Sequence, residues 1–411
     1  MPTELVSYLD RRQNWTEAHL DLPKLTDRRL MQARNAKPGT QGNNDFLEFV
    51  GDRIVNLVCA LLVGEDSFSP DQQIIVDRLV SNNDTLGRLG YQLHLDTCAE
   101  LDDSEGRKVV GWSPYDPRPP PKVLADLFEA YAGAVYEEYG WDVTQQWLST
   151  LFKPLIEKAN EDFFMNRSRI SSRLLSRGTY ATHERLSRPA VEANFGRFLE
   201  ARAKKIATMA EPAMQALPRS TKFVFGPNGD IVTDCDRVEI ATHLVKFWIC
   251  EIFMTLYPED CQASLNRSHL ISNITLLVSN TWSFGHLGFI LELGSCFDLE
   301  DPDFSLFDKS IGSPGIRKKL AQAVYAVIGW FYSQNTQVAE KWGIGWLVPL
   351  VTRAYDLIVQ DQSFKYLPHG IGKVDLYANV LEDMGRGPEI PVITTQDEID
   401  ARLTTMAPKA A

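Results

Sequence analysis

Cysteine is scarce and unpatterned. Cys59, Cys98, Cys235, Cys250, Cys261 and Cys296 are the only six in 411 residues. None forms a CxxC pair, and the seven histidines do not gather beside them. That excludes a zinc-finger ligand set by spacing. Isolated thiols in a chain this long read as buried groups of a reducing compartment. No apolar run approaches the ~20 residues that cross a bilayer, so no membrane partner is expected. The opening MPTELVSYLDRRQNW lacks the apolar core of a secretion signal. The expected location is inside the cell, nucleus or cytoplasm. Positive charge is also short: the net charge is −12, so the surface as a whole should bind nucleic acid poorly. Apolar residues at 44% and charged residues at 23% exclude disordered, collagenous and disulfide-miniprotein classes. The length suggests two or three domains.

The charge is unevenly spread. Between Arg167 and Lys205 ten basic residues face three acidic ones, a local surplus of seven that leaves −19 on the rest. Apolar residues at helical spacing cover 45–63, 72–95, 122–139 and 143–164. They resume at 236–257, 266–293, 316–333 and 342–360. GWSPYDPRPPP at 111–121 is a loop, because consecutive prolines remove donors and clash with the preceding turn. Pro-Asn-Gly within 225–232 signals a turn. The reading is 1–165 as one helical domain, 166–215 as a basic linker or arm, 216–385 as a second domain, and 386–411 as a polar tail.

The two domains read as copies. LVSNNDTL at 79–86 matches LISNITLL at 270–277, LGRLGYQLHLDTCAEL at 86–101 matches FGHLGFILELGSCFDL at 284–299, and KVLADLFEAYAGAVY at 122–136 matches KKLAQAVYAVIGWFY at 318–332. The offsets are 191, 198 and 196 residues, with loop insertions explaining the drift. Shared leucine and glycine spacing in unrelated helices is the bland alternative.

Chemistry concentrates in the first copy. In DFLEFVGDRIVNLV at 45–58, Asp45, Glu48 and Asp52 fall near one helix face. Gly51 leaves room for close approach of a helix or ligand. In KVLADLFEA, Asp126 and Glu129 are three apart and share a face. Two acid pairs gathered in one pocket repel and need compensation. Carboxylates without His or Cys favour Mg²⁺ or Mn²⁺, which recruit phosphate oxygens. The rival reading is solvated acids on amphipathic helices, and periodicity alone leaves both open.

LEFVGD at 47–52 resembles the signature helix of the ribonuclease III family, and KVLADLFEAYAGAVY resembles its second block, K-x-LAD-x-FEA-x-x-GA-x-Y. LVSNNDTLGRLG at 79–90 resembles the connecting region. The resemblance covers most of 25–160. It implies an all-α endonuclease fold and a double-stranded RNA substrate. It also implies metal-binding and catalytic roles for Glu48, Asp52, Asp126 and Glu129. Glu48, Asp126 and Glu129 would be the principal Mg²⁺ or Mn²⁺ ligands, with Asp52 a ligand or the holder of a metal-bound water. Products would carry 5′-phosphate and 3′-hydroxyl ends. Asp45 stands where the family generally has Glu, and Arg53 where a small residue is usual. The offsets map Asp45, Glu48 and Asp52 to Asp236, Glu239 and His243, and Asp126 and Glu129 to Gln322 and Tyr325, so the second copy reads as degenerate. His243 reads as a partly buried polar residue. The expected architecture is all-α, with two ribonuclease III-like domains packed as an intramolecular pseudodimer, as in the tandem Dicer and Drosha class. Further homodimerisation stays open. One active centre would nick rather than cut both strands. No companion RNA-binding domain is evident. Asp45, Asn82, Arg167, Arg169, Arg173, Lys204 and Lys205 are the candidate substrate contacts. The alternative function is a non-catalytic double-stranded-RNA-binding or ribonucleoprotein assembly subunit of the same fold.

Overall fold

The computed structural model describes residues 3–16, 21–40, 42–66, 68–114, 116, 118–175, 189–218, 221–226, 230–231, 235–257, 267–296 and 314–360. Its elements are helices, and the described residues include no strand, only isolated bridges such as Phe225 with Ile231. The architecture is all-α. No helix among the described residues is long and apolar enough to cross a membrane. The amino-terminal half contains α1 (Glu4–Asp10), α2 (Asp27–Arg34), α3 (Asp45–Glu65), α4 (Pro70–Val80), α5 (Asn83–Gln92), α6 (Asp103–Val110), α7 (Lys122–Tyr139) and α8 (Trp141–Leu175). Then come α9 (Pro189–Ala201), α10 (Ala203–Ala216), α11 (Cys235–Leu256), α12 (Arg267–Ser279), α13 (Thr281–Ile290), α14 (Pro314–Gln334) and α15 (Thr336–Gln360).

α3 and α7 form the closest pair of the first half. α3 opens with Asp45 and Glu48, whose charges suit a helix amino terminus. α7 begins directly after the proline run and stops at Gly140, whose φ of 79° is costly for other residues. The two helices meet backbone to backbone. Gly51 lies against the Glu129 carbonyl, and Gly133 lies against the Leu47 carbonyl. α3 has apolar faces towards both α7 and α11, which pack on it, and keeps its acids on the face between them. The run is antiparallel: Gly64 meets Ile240 near the start of α11, while Arg53 influences Cys250 farther along it. Tyr136 and Trp141 pack on Phe247, and the Tyr136 hydroxyl donates to Glu251 at 2.5 Å. One continuous apolar core results, reaching from Leu5 to Ile358.

The stretch read as an arm over 166–215 includes α9 and α10, which pack on α13, α14 and α15. Val191, Phe195 and Leu199 recur every four residues and are buried, as are Ile206, Ala210 and Ala213. These apolar residues are spaced singly among arginines, lysines and alanines, which conceals the stripe in a composition-based reading. The polar tail read over 386–411 lies outside the described residues.

Caps and glycines fix how the two halves correspond. Asn82 accepts the Thr85 N–H at 3.0 Å at the start of α5, and Asn280 accepts the Ser283 N–H at 2.7 Å at the start of α13. The Thr85 hydroxyl donates to Leu79 O, and the Ser283 hydroxyl donates to Leu277 O. The structural match of Asn82 is thus Asn280, not the Asn273 of the LISNITLL alignment. Gly90 crosses α7 at Leu124, as Gly288 crosses α14 at Leu320. Gly133 meets Leu47, whereas Gly329 meets Arg237, an offset of 190 along α3 and α11. The sequence alignment at 191 is one residue out of register, which on a helix is a rotation of ~100°. Corrected, Val238 and Thr242 stand opposite Glu48 and Asp52, and Glu239 faces elsewhere.

Asn82 spends both ends of its side chain on structure, since its amide also donates to Arg78 O and Leu79 O at 2.9 Å. Asn82→Ala is expected to cost about 1 kcal/mol of stability. Urea unfolding of the full chain measures it, and Asn280→Ala should cost a similar amount.

Candidate metal centre and active site

α3 and α7 cross so that their acidic faces meet at the glycine contact. Carboxylate oxygens of Glu48, Asp126 and Glu129 lie within 4.8 Å of one another. Three of the four predicted acids therefore converge. Asp52 stands beside them rather than within the group, yet it exerts the strongest charge effect on Glu129. It is held from its own helix: Asn56 donates to Asp52 Oδ1 at 2.8 Å, and Arg53 pairs with Oδ2 at 3.0 Å. The Arg53 guanidinium also lies 4.7 Å from the Phe49 ring centroid. Asp45 is turned to its own loop, accepting from the Asn43 amide at 2.7 Å.

Burial sets the electrostatics. Glu129 is 6% exposed, and its pKa is pushed up to about 9 by desolvation, then by Asp52, Glu48 and Asp126. Glu48 is pushed up to about 7 by burial and by Asp126, with Lys122 pulling it back. Burial also raises Asp126, again opposed by Lys122. A group of carboxylates that would rather stay protonated is one that lacks cationic charge.

Lys122 was given no role by the motif reading. Its ammonium pairs with Asp126 and reaches Glu48 Oε1 at 3.3 Å. Burial works against its charge, but the two carboxylates hold its pKa above the ordinary lysine value. Its position four residues before Asp126 was the available signal. A cation thus already lies across two of the three converging acids. Their oxygen-only donor set suits a hard divalent ion such as Mg²⁺ or Mn²⁺. The residues fit that ion: three carboxylates, one of them deeply buried, with a single flexible ammonium offsetting them.

Ion binding must displace protons from such a site. With Glu129 pushed to about 9 and Glu48 to about 7, Mg²⁺ is expected to release about one proton at pH 8, and more at pH 6. Calorimetry in buffers of different ionisation enthalpy reads this number directly. Apparent Mg²⁺ affinity should fall as pH drops through 7.

Lys204 and Lys205 are exposed on α10. The side chains of Arg167, Arg169 and Arg173 lie outside the described residues.

The class is defined by a helical scaffold whose two most extensively packed helices bring acids together in a group able to hold a hard cation. Residues 45–140 match the Ribonuclease III domain family. The chain is similar to Ribonuclease 3 of Nitrosomonas eutropha, 32% identical over 124 residues, covering 30% of this chain and 48% of the relative. It is similar to Ribonuclease 3 of Streptomyces coelicolor, 34% identical over 119 residues, 28% of this chain and 41% of that one. Ribonuclease 3 of Bdellovibrio bacteriovorus is 28% identical over 151 residues, 34% of this chain and 60% of that one. The chain thus spans about half the length of the curated relatives it matches.

Proposed function

We propose that this chain is a ribonuclease III-type endoribonuclease that hydrolyses double-stranded RNA with Mg²⁺ or Mn²⁺, leaving 5′-phosphate and 3′-hydroxyl ends. The convergence of Glu48, Asp126 and Glu129, from the two helices that carry the family motif, supports this most directly. A bound divalent ion would neutralise these carboxylates and polarise the scissile phosphate. Glu48, Asp126 and Glu129 would hold it. Asp52, held by Asn56 and Arg53, would orient an attacking water and take up a proton. Lys122, which offsets Glu48 and Asp126, could turn to a phosphate oxygen if a bound ion neutralised those carboxylates.

The reading extends to a single centre per chain. In the corrected register, Val238, Thr242, Gln322 and Tyr325 stand where the first half has its four acids, and none of them can balance a divalent charge. The second half, 216–385, then acts as the partner that completes an intramolecular pseudodimer with 1–165 and shapes the RNA groove. Linkage supplies an effective concentration on the order of mM. The basic stretch that contains Arg167, Arg169, Arg173, Lys204 and Lys205 offsets duplex phosphates against an otherwise acidic surface.

The test is incubation of the full chain with end-labelled duplex RNA in Mg²⁺ or in EDTA. Metal-dependent nicks bearing 5′-phosphate are the expected products. Duplex retention with no cutting in either buffer overturns the enzyme and favours the assembly subunit.

A further inference from the structure

A second group of ligating side chains lies where the two halves meet. Asp77 comes from α4, and Glu239 and His243 come from adjoining turns of α11. One donor atom from each lies within 4.8 Å of the others. Asp77 is 5% exposed and Glu239 9%. His243 Nε2 is 3.3 Å from Glu239 Oε1. Asp77 and Glu239 also line a small cavity with Cys235 and Asp236. Asp77 Oδ1 is fully buried there and has no hydrogen-bond partner. An unpartnered carboxylate oxygen in the interior costs several kcal/mol unless a cation meets it.

From this geometry we infer a second divalent-metal site, formed by Asp77, Glu239 and His243, that joins the two halves of the chain. Two carboxylates and one imidazole suit a borderline transition ion such as Zn²⁺ better than Mg²⁺, which seeks oxygen alone. The trio is separate from Glu48, Asp126 and Glu129, so the site does not depend on the proposed nuclease activity. The fold does not impose it either. In the register fixed by the caps and glycines, the corresponding positions of the opposite half are Thr275, Phe49 and Arg53: a hydroxyl, a ring and a cation. Glu239 and His243, four residues apart, lie on the face of α11 that meets α4. With ligands drawn from both halves, the ion would act as a clasp between them.

The full chain, stripped with EDTA and returned to a millimolar excess of Mg²⁺, is titrated with Zn²⁺ by calorimetry and with Co²⁺ by visible absorption. One Zn²⁺ per chain is expected, with a Co²⁺ spectrum showing nitrogen and oxygen ligation. His243→Gln, Glu239→Gln and Asp77→Asn should each weaken Zn²⁺ about tenfold or more, and His243→Gln should alter the Co²⁺ bands. Glu129→Gln should leave both unchanged. Circular dichroism identifies which variants keep the fold, and the three ligand variants are judged on those that do. If none folds, the Co²⁺ spectrum of the parent decides: absence of a nitrogen-ligated signature overturns the site. Failure of the parent to take up one Zn²⁺ overturns it equally. So does binding that survives in the folded ligand variants or vanishes in Glu129→Gln.

Discussion

Glu129→Gln is expected to abolish metal-dependent cleavage of duplex RNA and, in the same protein, to raise the melting temperature in EDTA at pH 8. The two effects share one cause. Glu129 is nearly enclosed, and burial with three neighbouring carboxylates holds its pKa near 9. An acid whose folded pKa exceeds its unfolded value near 4.5 favours folding while both states are protonated. Above 4.5 the unfolded chain ionises and the folded one resists, so stability falls steadily as pH rises towards 9. Each pKa unit of displacement corresponds to about 1.4 kcal/mol, so the penalty at pH 8 is a few kcal/mol. Glutamine has the shape of the protonated acid and carries no charge to bury. The variant should therefore outlast the parent at pH 8 and match it near pH 4. Mg²⁺ should raise the parent's melting temperature but hardly move the variant's, because a ligand that binds only the native state stabilises it in proportion to its affinity. Calorimetric scans across pH, with and without Mg²⁺, check all three statements. A variant less stable than the parent at pH 8 would refute the electrostatic account even if cleavage were lost.

Gly51→Ala is expected to be the most damaging small substitution on the scaffold. A Cβ at residue 51 would overlap the Glu129 carbonyl oxygen and press on its carbon. Both obstacles are main chain, so no rotamer change relieves them. α3 and α7 must separate, and overpacking of this kind costs about 3 kcal/mol or more. The melting temperature should drop by roughly 5–10 °C, or the chain should fail to fold. Gly106→Ala is the matched control. Residue 106 lies within α6 with open space around the added methyl, so alanine should stabilise by up to about 1 kcal/mol. Opposite signs from the same chemical change would localise the effect to the helix crossing. Since that crossing also sets the spacing of Glu48 and Glu129, a folded Gly51→Ala protein should bind Mg²⁺ poorly.

Much of this arrangement was readable from residues alone. The all-α class followed from 3.6-residue apolar spacing. Glu48, Asp52, Asp126 and Glu129 stand out through shared-face intervals and the resemblance to a family motif, and three of them, Glu48, Asp126 and Glu129, meet. Gly51 was marked as a point of close approach, and the structure supplies the partner, the Glu129 carbonyl. The failures have definite physical origins. The repeat was aligned by letters, and DxxE in α11 imitates the acid spacing of α3. Backbone contacts at Gly133 and Gly329 set the true register one residue away. Asn82 sat in a motif region and resembled a substrate contact, but Asn, Ser and Thr before a helix more often cap it, and that is its work here. Lys122 was visible yet unassigned, because a lysine four residues from an aspartate is ordinary on a helix surface. Asp77, Glu239 and His243 could not be grouped in advance: 162 residues separate the first two, and only the antiparallel seat of α11 brings them together.

That seat has a consequence for any shortened product of the gene. A polypeptide terminated after residue 165 would retain every carboxylate of the metal centre, yet the flank of α3 that α11 normally covers would be left bare to water. Such a fragment should precipitate or be degraded long before its chemistry could be assayed. The second half is in this sense a built-in folding chaperone for the first, because it covers the apolar flank of α3.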